Sequence, residues 1–273
     1  MATLTQEDIA NYHERGYLIP RFTLPKERVD RLRATLDKLI RDNPGVRPEK
    51  LVSAHVVGRN DQPNPEGVKG SKDFLDLAME PEILDMVEQL IGPDIILWGC
   101  HVFCKPAGDG QETPWHQDGH YWPIRPLANV TVWVALDPST RENGCLRVIP
   151  GSHKAKITHA HLKEDRDDVV LSQRTDTNAF NEDGAVDLEL QPGQMSMHEV
   201  YTIHGAKVNR SNQRRAGVAL RYLPGSSVFE RDLNPAEGQS GVPVAFATRP
   251  LWLLRGKDQT GRNDFEVGFP QSI

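Results

Sequence analysis

Apolar positions in the first third of the chain recur at helical spacing. Met1 to Leu18 has the pattern of an amphipathic helix, with Thr5 and Asp8 forming a capping-box signature and Gly16 standing where a C-cap would end it. A second helix starts near Thr23 and Pro25 and sets Val29, Leu32, Leu36 and Ile40 on one face before Asn43-Pro44-Gly45 stops it. A third helical region, from about Ser71 to Leu90, carries Phe74, Leu77, Ile83, Val87 and Leu90, with a kink or break at Pro81 and closure at Gly92-Pro93.

From Ile95 the texture changes to short runs of β-formers bounded by turn residues: Ile95 to Lys105, Val130 to Asp137, Cys145 to Pro150, Met195 to Ile203 and Gly217 to Leu223. Helices first and strands afterwards predict an α+β chain, mainly β, in which the helices buttress one face of an antiparallel sandwich or barrel. Lys154 to Asp187 is polar and aperiodic and reads as a long excursion between strands, of the kind that serves as a lid. The chain reads as one domain over residues 1–273, with helices to about 92, a β core over about 93–225 and a segment over about 226–273 left unassigned.

At 273 residues with 38% apolar content, one sizeable core is affordable and a single site is expected. The net charge of −6 is spread without like-charge runs, so nothing points to a nucleic-acid partner. Apolar stretches such as Ile95 to Cys104 are far shorter than the roughly 20 residues of a membrane span. No signal peptide or anchor is evident. Cys100, Cys104 and Cys145 are odd in number and lack zinc-like spacing, which makes a disulfide framework improbable and a cytoplasmic setting the expectation.

The chemistry concentrates in Trp115-His116-Gln117-Asp118-Gly119. In extended chain, residues i and i+2 project to the same face, so His116 and Asp118 can reach one ion. A third ligand must come from elsewhere, and His204 lies at the end of a predicted strand much later. Two imidazoles and one carboxylate on one face leave sites open, as in non-haem iron(II) oxygenases. Eleven residues beyond His204, Arg215 precedes the run Gly217 to Tyr222, where its planar fork can hold a carboxylate. An iron triad with a carboxylate clamp implies 2-oxoglutarate. Arg214 and Arg221 compete with Arg215 for the clamp.

The run from Trp115 through His120-Tyr121-Trp122-Pro123-Ile124-Arg125 to Pro126 resembles the signature of the phytanoyl-CoA dioxygenase family. Asn143 to Lys154, His204-Gly205, Asn209, Ser211, Arg215 and Arg221-Tyr222 are similar to later family motifs in the same order, and the likeness extends from the Glu7 to Tyr17 helix to about Pro224. The resemblance implies a double-stranded β-helix (jelly roll, cupin-like) with helices outside. It also implies an Fe(II)-, 2-oxoglutarate- and O2-dependent hydroxylase of a small-molecule substrate. His116, Asp118 and His204 are then the metal ligands and Arg215 the co-substrate clamp, with Trp133, Thr131 and Gln117 beside the co-substrate.

Tyr121, Trp122, Tyr201, Arg125 and Asn178 are candidate substrate residues, a mixture suited to a compact zwitterion such as an aminoalkylphosphonate. Secondary metabolites, amino acids and acyl-CoA thioesters are the alternatives, and a non-catalytic cupin-like binding protein is the alternative of another class. His198 reads as a supporting or core histidine, while His153, His159 and His161 are expected to be solvated. Oligomeric state is not legible.

Overall fold

The structure, a computed structural model, describes residues 3–58, 62–233 and 244–268. Helix α1 (Gln6–Arg15) is closed by the expected box: the Thr5 hydroxyl accepts from the Asp8 amide, the Asp8 carboxylate accepts from the Thr5 amide, and Gly16 ends the helix with φ 83°. Strand β1 (Tyr17–Leu18) follows, then α2 (Lys26–Asp42), β2 (Leu51–Val52), α3 (Lys72–Ala78) and α4 (Pro81–Ile91). The kink or break expected at Pro81 is a break between two helices, because the ring sits at the first turn of α4, where its missing N–H leaves no bond unmade.

The β region comprises β3 (Ile95–Lys105), β4 (Thr113–His116), β5 (Ile124–Arg125), β6 (Val130–Ala135), β7 (Leu146–Val148), β8 (His161–Lys163), β9 (Gln173–Thr175), β10 (Val186–Leu188), β11 (Met195–Glu199), β12 (His204–Ala206), β13 (Arg215–Pro224), β14 (Val228–Phe229) and β15 (Trp252–Arg255). A major sheet runs β1-β11-β6-β13-β3-β15, with β2 also on β3, and a minor sheet runs β10-β7-β12-β4. Followed along the chain, β3, β6, β11 and β13 fall in the major sheet and β4, β7, β10 and β12 in the minor one, all paired antiparallel. This is the double-stranded β-helix.

Two expectations need correction. The excursion Lys154 to Asp187 contains β8, β9, β10 and two short 3-10 turns, so polar composition concealed paired strands. The C-terminal segment left unassigned supplies β14, on β5, and β15, on the edge of β3.

The helices cover the outer face of the major sheet. Val29, Leu32, Leu36 and Leu39 from α2 join Phe74, Leu77, Ile83 and Val87 in one buried cluster with Val102, Val130, Val132, Val134, Val218, Leu220 and Tyr222. Leu39 is buried there beside the expected stripe, and Ile40 packs half-buried against the same cluster. Burying each large side chain of this kind contributes about 1.5 to 3 kcal/mol. The pleat sends the alternate residues, Thr131, Trp133, Ala219 and Arg221, toward the space between the sheets. No helix among the described residues is long and apolar enough to cross a membrane.

Candidate metal centre and cavity

His116 ends β4 and pairs in register with His204 at the start of β12, so two imidazoles distant in the chain become neighbours in the minor sheet. Gln117 stays extended (φ −116°, ψ 126°) and brings Asp118 back to the same side before a short 3-10 turn begins. One donor atom from each of His116, Asp118 and His204 lies within 4.8 Å of the other two, and all three residues are buried. Asp118 Oδ1 is 3.7 Å from His116 Nε2 and 3.9 Å from His204 Nε2.

Both Nδ1 atoms lie 2.9 Å from a backbone oxygen two residues upstream, Pro114 for His116 and Thr202 for His204. That contact holds the proton on Nδ1 and leaves Nε2 as the free lone pair. Burial alone would raise the Asp118 carboxyl, but the neighbouring His204, His116 and His198 imidazoles, with Arg221, outweigh it and hold the group well below its usual range. Burial, reinforced by His116, holds His204 well below the ordinary imidazole range. An ionised carboxylate and imidazoles with unprotonated Nε2 are the forms a divalent ion requires, so these residues fit one. His198, on β11, has its Nε2 3.6 Å from Asp118 Oδ2, and neither ring nitrogen has a hydrogen-bond partner.

The triad opens into a cavity with about 450 Å³ of atom-free space, in part open to solvent. Arg215, Trp133, Thr131 and Arg221 line it, as does His198. Arg215 is buried, with its guanidinium 5.3 Å from the Trp133 ring centre, its Nε donating to Gly144 O and its Nη1 to Phe103 O. Burial lowers it to about 10, so the group is still a cation at neutral pH. Gly217 makes room for this stack, since a Cβ there would meet the Trp133 ring at 2.1 Å. Arg214, one residue earlier and on the opposite face, is held by Asp137 and Asp37. The pleat therefore separates the two candidate clamps. Thr131 Oγ1 reaches Asp118 Oδ2 at 3.4 Å and accepts from Asn129.

Gln117 does not face this cavity, which corrects the expectation that it touches the co-substrate. The alternation that unites His116 with Asp118 turns Gln117 the other way, where its amide donates to Ile157 O and Tyr201 O and accepts from the His159 amide. It ties the 157–161 segment to the ligand strand.

The substrate candidates also scatter. Tyr121 is buried 6.2 Å from the His116 ring, and Trp122 packs on Trp98 at 4.7 Å. Tyr201 is half-buried beside Lys156. Arg125 is exposed, its Nη1 on Ile124 O, and Asn178 is exposed on a 3-10 turn and bonded to Asp176. None of the five lines the cavity: Tyr121, Trp122 and Tyr201 belong to or pack on an adjoining apolar cluster, and β5 and that turn lie at the protein surface.

His153 and His161 are not solvated. His153 is buried with its Nε2 2.9 Å from His13 O. His161 stacks on His120 at 3.8 Å and accepts from the Gln117 amide, with burial the main cause of its value of about 3. The β8–β9 hairpin that delivers His161 has no periodic signature in the sequence. Trp98, whose Nε1 donates to Asn129 Oδ1 at 2.7 Å, is the neighbour of the site that residue reading missed. Its alternation with Ile96 on β3 was the available signal.

The profile of the family described as Phytanoyl-CoA dioxygenase (PhyH) matches residues 12–217. The peroxisomal phytanoyl-CoA dioxygenase of Mus musculus is 29% identical over 280 residues, covering 93% of this chain and 82% of that protein. A probable alpha-ketoglutarate-dependent hypophosphite dioxygenase of Stutzerimonas stutzeri is 27% identical over 147 residues, 54% of this chain and 51% of that one. Among solved structures, the non-heme monooxygenase ThoJ in its apo form superposes with a TM-score of 0.70 at 22% identity, covering 97% of this chain and 87% of that one.

Proposed function

The chain belongs to the phytanoyl-CoA dioxygenase family, and from that premise we propose that His116, Asp118 and His204 hold the iron(II) while Arg215 binds the distal carboxylate of 2-oxoglutarate. The protein is a 2-oxoglutarate-dependent dioxygenase. The observation that carries the residue assignment is the juxtaposition, in one cavity, of three buried donor side chains with a guanidinium fixed through Nε and stacked on Trp133.

When bound, iron with 2-oxoglutarate and dioxygen supplies the oxidation of an aliphatic C–H to C–OH, with succinate and carbon dioxide as co-products. The chain's own work is placement. Pro114 O and Thr202 O keep the Nδ1 protons of His116 and His204, so the rings present Nε2 and do not rotate. Trp133 and Thr131 form the wall against which the co-substrate lies, and Arg215 fixes its far end. The low-dielectric surroundings strengthen that charge pairing by keeping bulk water from the guanidinium.

The substrate in this reading is a small amphoteric molecule such as an aminoalkylphosphonate. That 2-oxoglutarate must share the cavity beside the metal ligands supports a compact substrate. Aromatic rings at Trp133 and Phe103 in the cavity wall offer faces for an ammonium or an alkyl skeleton.

Anaerobic titration of iron(II) and then 2-oxoglutarate, read through the visible charge-transfer band, tests the assignment. The wild type should form the chelate. Arg215→Ala should keep its iron and weaken 2-oxoglutarate by about 2 to 5 kcal/mol, as for truncation of a buried charge pair. An unchanged 2-oxoglutarate requirement would remove Arg215 from the role. Substrate-triggered succinate formation across aminophosphonates, amino acids, betaines and acyl-CoA thioesters tests the substrate, and coupling by thioesters alone would overturn the amphoteric reading.

A further inference from the structure

Arg221 lies six residues beyond Arg215 on the same face of β13, so the two backbone positions are about 20 Å apart at about 3.3 Å per residue. In the register of the sheet it stands opposite Thr131, the residue that contacts Asp118, whereas Arg215 begins the strand. The two cations therefore enter the cavity from different ends. Their surroundings differ in kind. The Arg221 guanidinium packs against two indoles that are themselves in edge contact, 4.9 Å from the Trp122 ring centre and 5.6 Å from that of Trp98. Its Nε is closed off without an acceptor, and the side chain has no carboxylate or carbonyl partner among the described residues.

The placement is built into the sheet. A β-bulge where β13 pairs with β3 sets Arg221 opposite Gly99 and Tyr222 opposite Leu97, so Trp98 has no partner of its own in the register. A guanidinium does not lose its proton in proteins, and half-buried Arg221 has no ion-pair partner at contact distance, with Asp118 the nearby charge that offsets it. Among the cavity-lining side chains Asp118 is the one carboxylate, against Arg215 and Arg221. A divalent metal and a 2-oxoglutarate dianion cancel each other and leave one positive charge over. The position against two indole rings suits a planar or tetrahedral acid group on a short organic skeleton.

We propose that Arg221, held by Trp98 and Trp122, is the specificity-determining residue that docks the acid group of the primary substrate, a small organic carboxylate or phosphonate, at the end of the cavity opposite the 2-oxoglutarate clamp. This rests on the oxygenase reading above and adds the substrate's charge and its orientation.

The test uses the full-length protein loaded anaerobically with iron(II) and 2-oxoglutarate, with methylphosphonate and acetate as probes and acetamide as the neutral control, followed by calorimetry. Formation of the charge-transfer band is read first, and its absence in wild type defeats the oxygenase reading itself. With the band present, at least one anion should bind wild type more tightly than acetamide does. Arg221→Gln should lose at least tenfold of that affinity and Arg221→Lys less, while 2-oxoglutarate affinity changes less than threefold in both.

Arg221→Met removes a half-buried cation that has no ion-pair partner at contact distance and should leave the thermal midpoint of the metal-free protein unchanged or higher, which a structural role would not do. Anion binding that survives Arg221→Gln, as it would if the probe sat on the iron alone, overturns the proposal. So does equal binding of acetamide, a wild type that binds neither anion, a fall in 2-oxoglutarate affinity as large as that for the anion, or a lowered midpoint in Arg221→Met.

Discussion

On the helix side of β13, Ala216, Val218, Leu220 and Tyr222 are fully buried among side chains of α2, α3 and α4, and the Tyr222 hydroxyl donates to Ala78 O. On the cavity side of the same strand stand Arg215, Gly217, Ala219 and Arg221, where bulky apolar groups would gain area but close the site. The contrast teaches how one strand divides labour: the outer face supplies burial free energy, and the inner face keeps charges and empty space that the outer face must offset. Substitutions on the two sides should therefore fail in different ways.

The largest effect is expected on the cavity side. His116→Ala, Asp118→Ala and His204→Ala should each take turnover to background and lower iron occupancy, with the metal-free protein still folded by circular dichroism. Each removes one of three protein donors, and a donor in a metal-free site contributes little to the core. Full 2-oxoglutarate decarboxylation with unchanged iron content in any one of them would show that the triad is misassigned.

On the helix side, Leu36→Ala should cost about 2 to 5 kcal/mol of unfolding free energy by leaving a cavity in a packed cluster. It should leave the iron and 2-oxoglutarate spectrum of the folded fraction unaltered. A shifted spectrum at full folding would mean that the two faces are coupled more tightly than the alternation of β13 implies.

A smaller effect separates the faces by pH. His55 is fully buried, its ring 4.8 Å from that of Trp252, and its two nitrogens have no partner. Burial, followed by the charges of Arg249 and Arg221, holds it well below the ordinary value of 6.5. The unfolded chain then takes up a proton that the folded chain refuses. Stability is fully present above about pH 6.5 and is lost as pH falls below it, at up to about 1.4 kcal/mol per pH unit for one such group. Urea midpoints of the metal-free protein at pH 7.5, 6.5 and 5.5 check this, and His55→Gln should flatten the slope. An equal slope in the variant would assign the pH dependence to other buried histidines.

Much of the fold was legible because it is written in short-range pattern. The Thr5 and Asp8 cap, the α2 stripe and the alternating valines of β6 involve residues within one turn or one pleat of each other. His116 and Asp118 were legible for the same reason, and the family resemblance covered the ordered motifs up to the end of β13. The hairpin β8–β9 and the edge strand β15 were not, because short polar or half-exposed strands carry no periodicity and are stabilised by partners elsewhere in the chain.

What the sequence by itself determined is thus the inventory and its local geometry: helices then strands, two metal donors on one face, and an arginine on each side of a pleat at 214 and 215. Tertiary structure decided the rest. Strand register set His204 beside His116, the carbonyls of Ile157 and Tyr201 gave the outward-facing Gln117 amide its partners, and a bulge opposite Arg221 placed it against Trp98 and Trp122. The physical reason is that side-chain direction follows from neighbours along the chain, whereas which side chains meet follows from strand pairing, where a single-residue slip or bulge exchanges one face for the other.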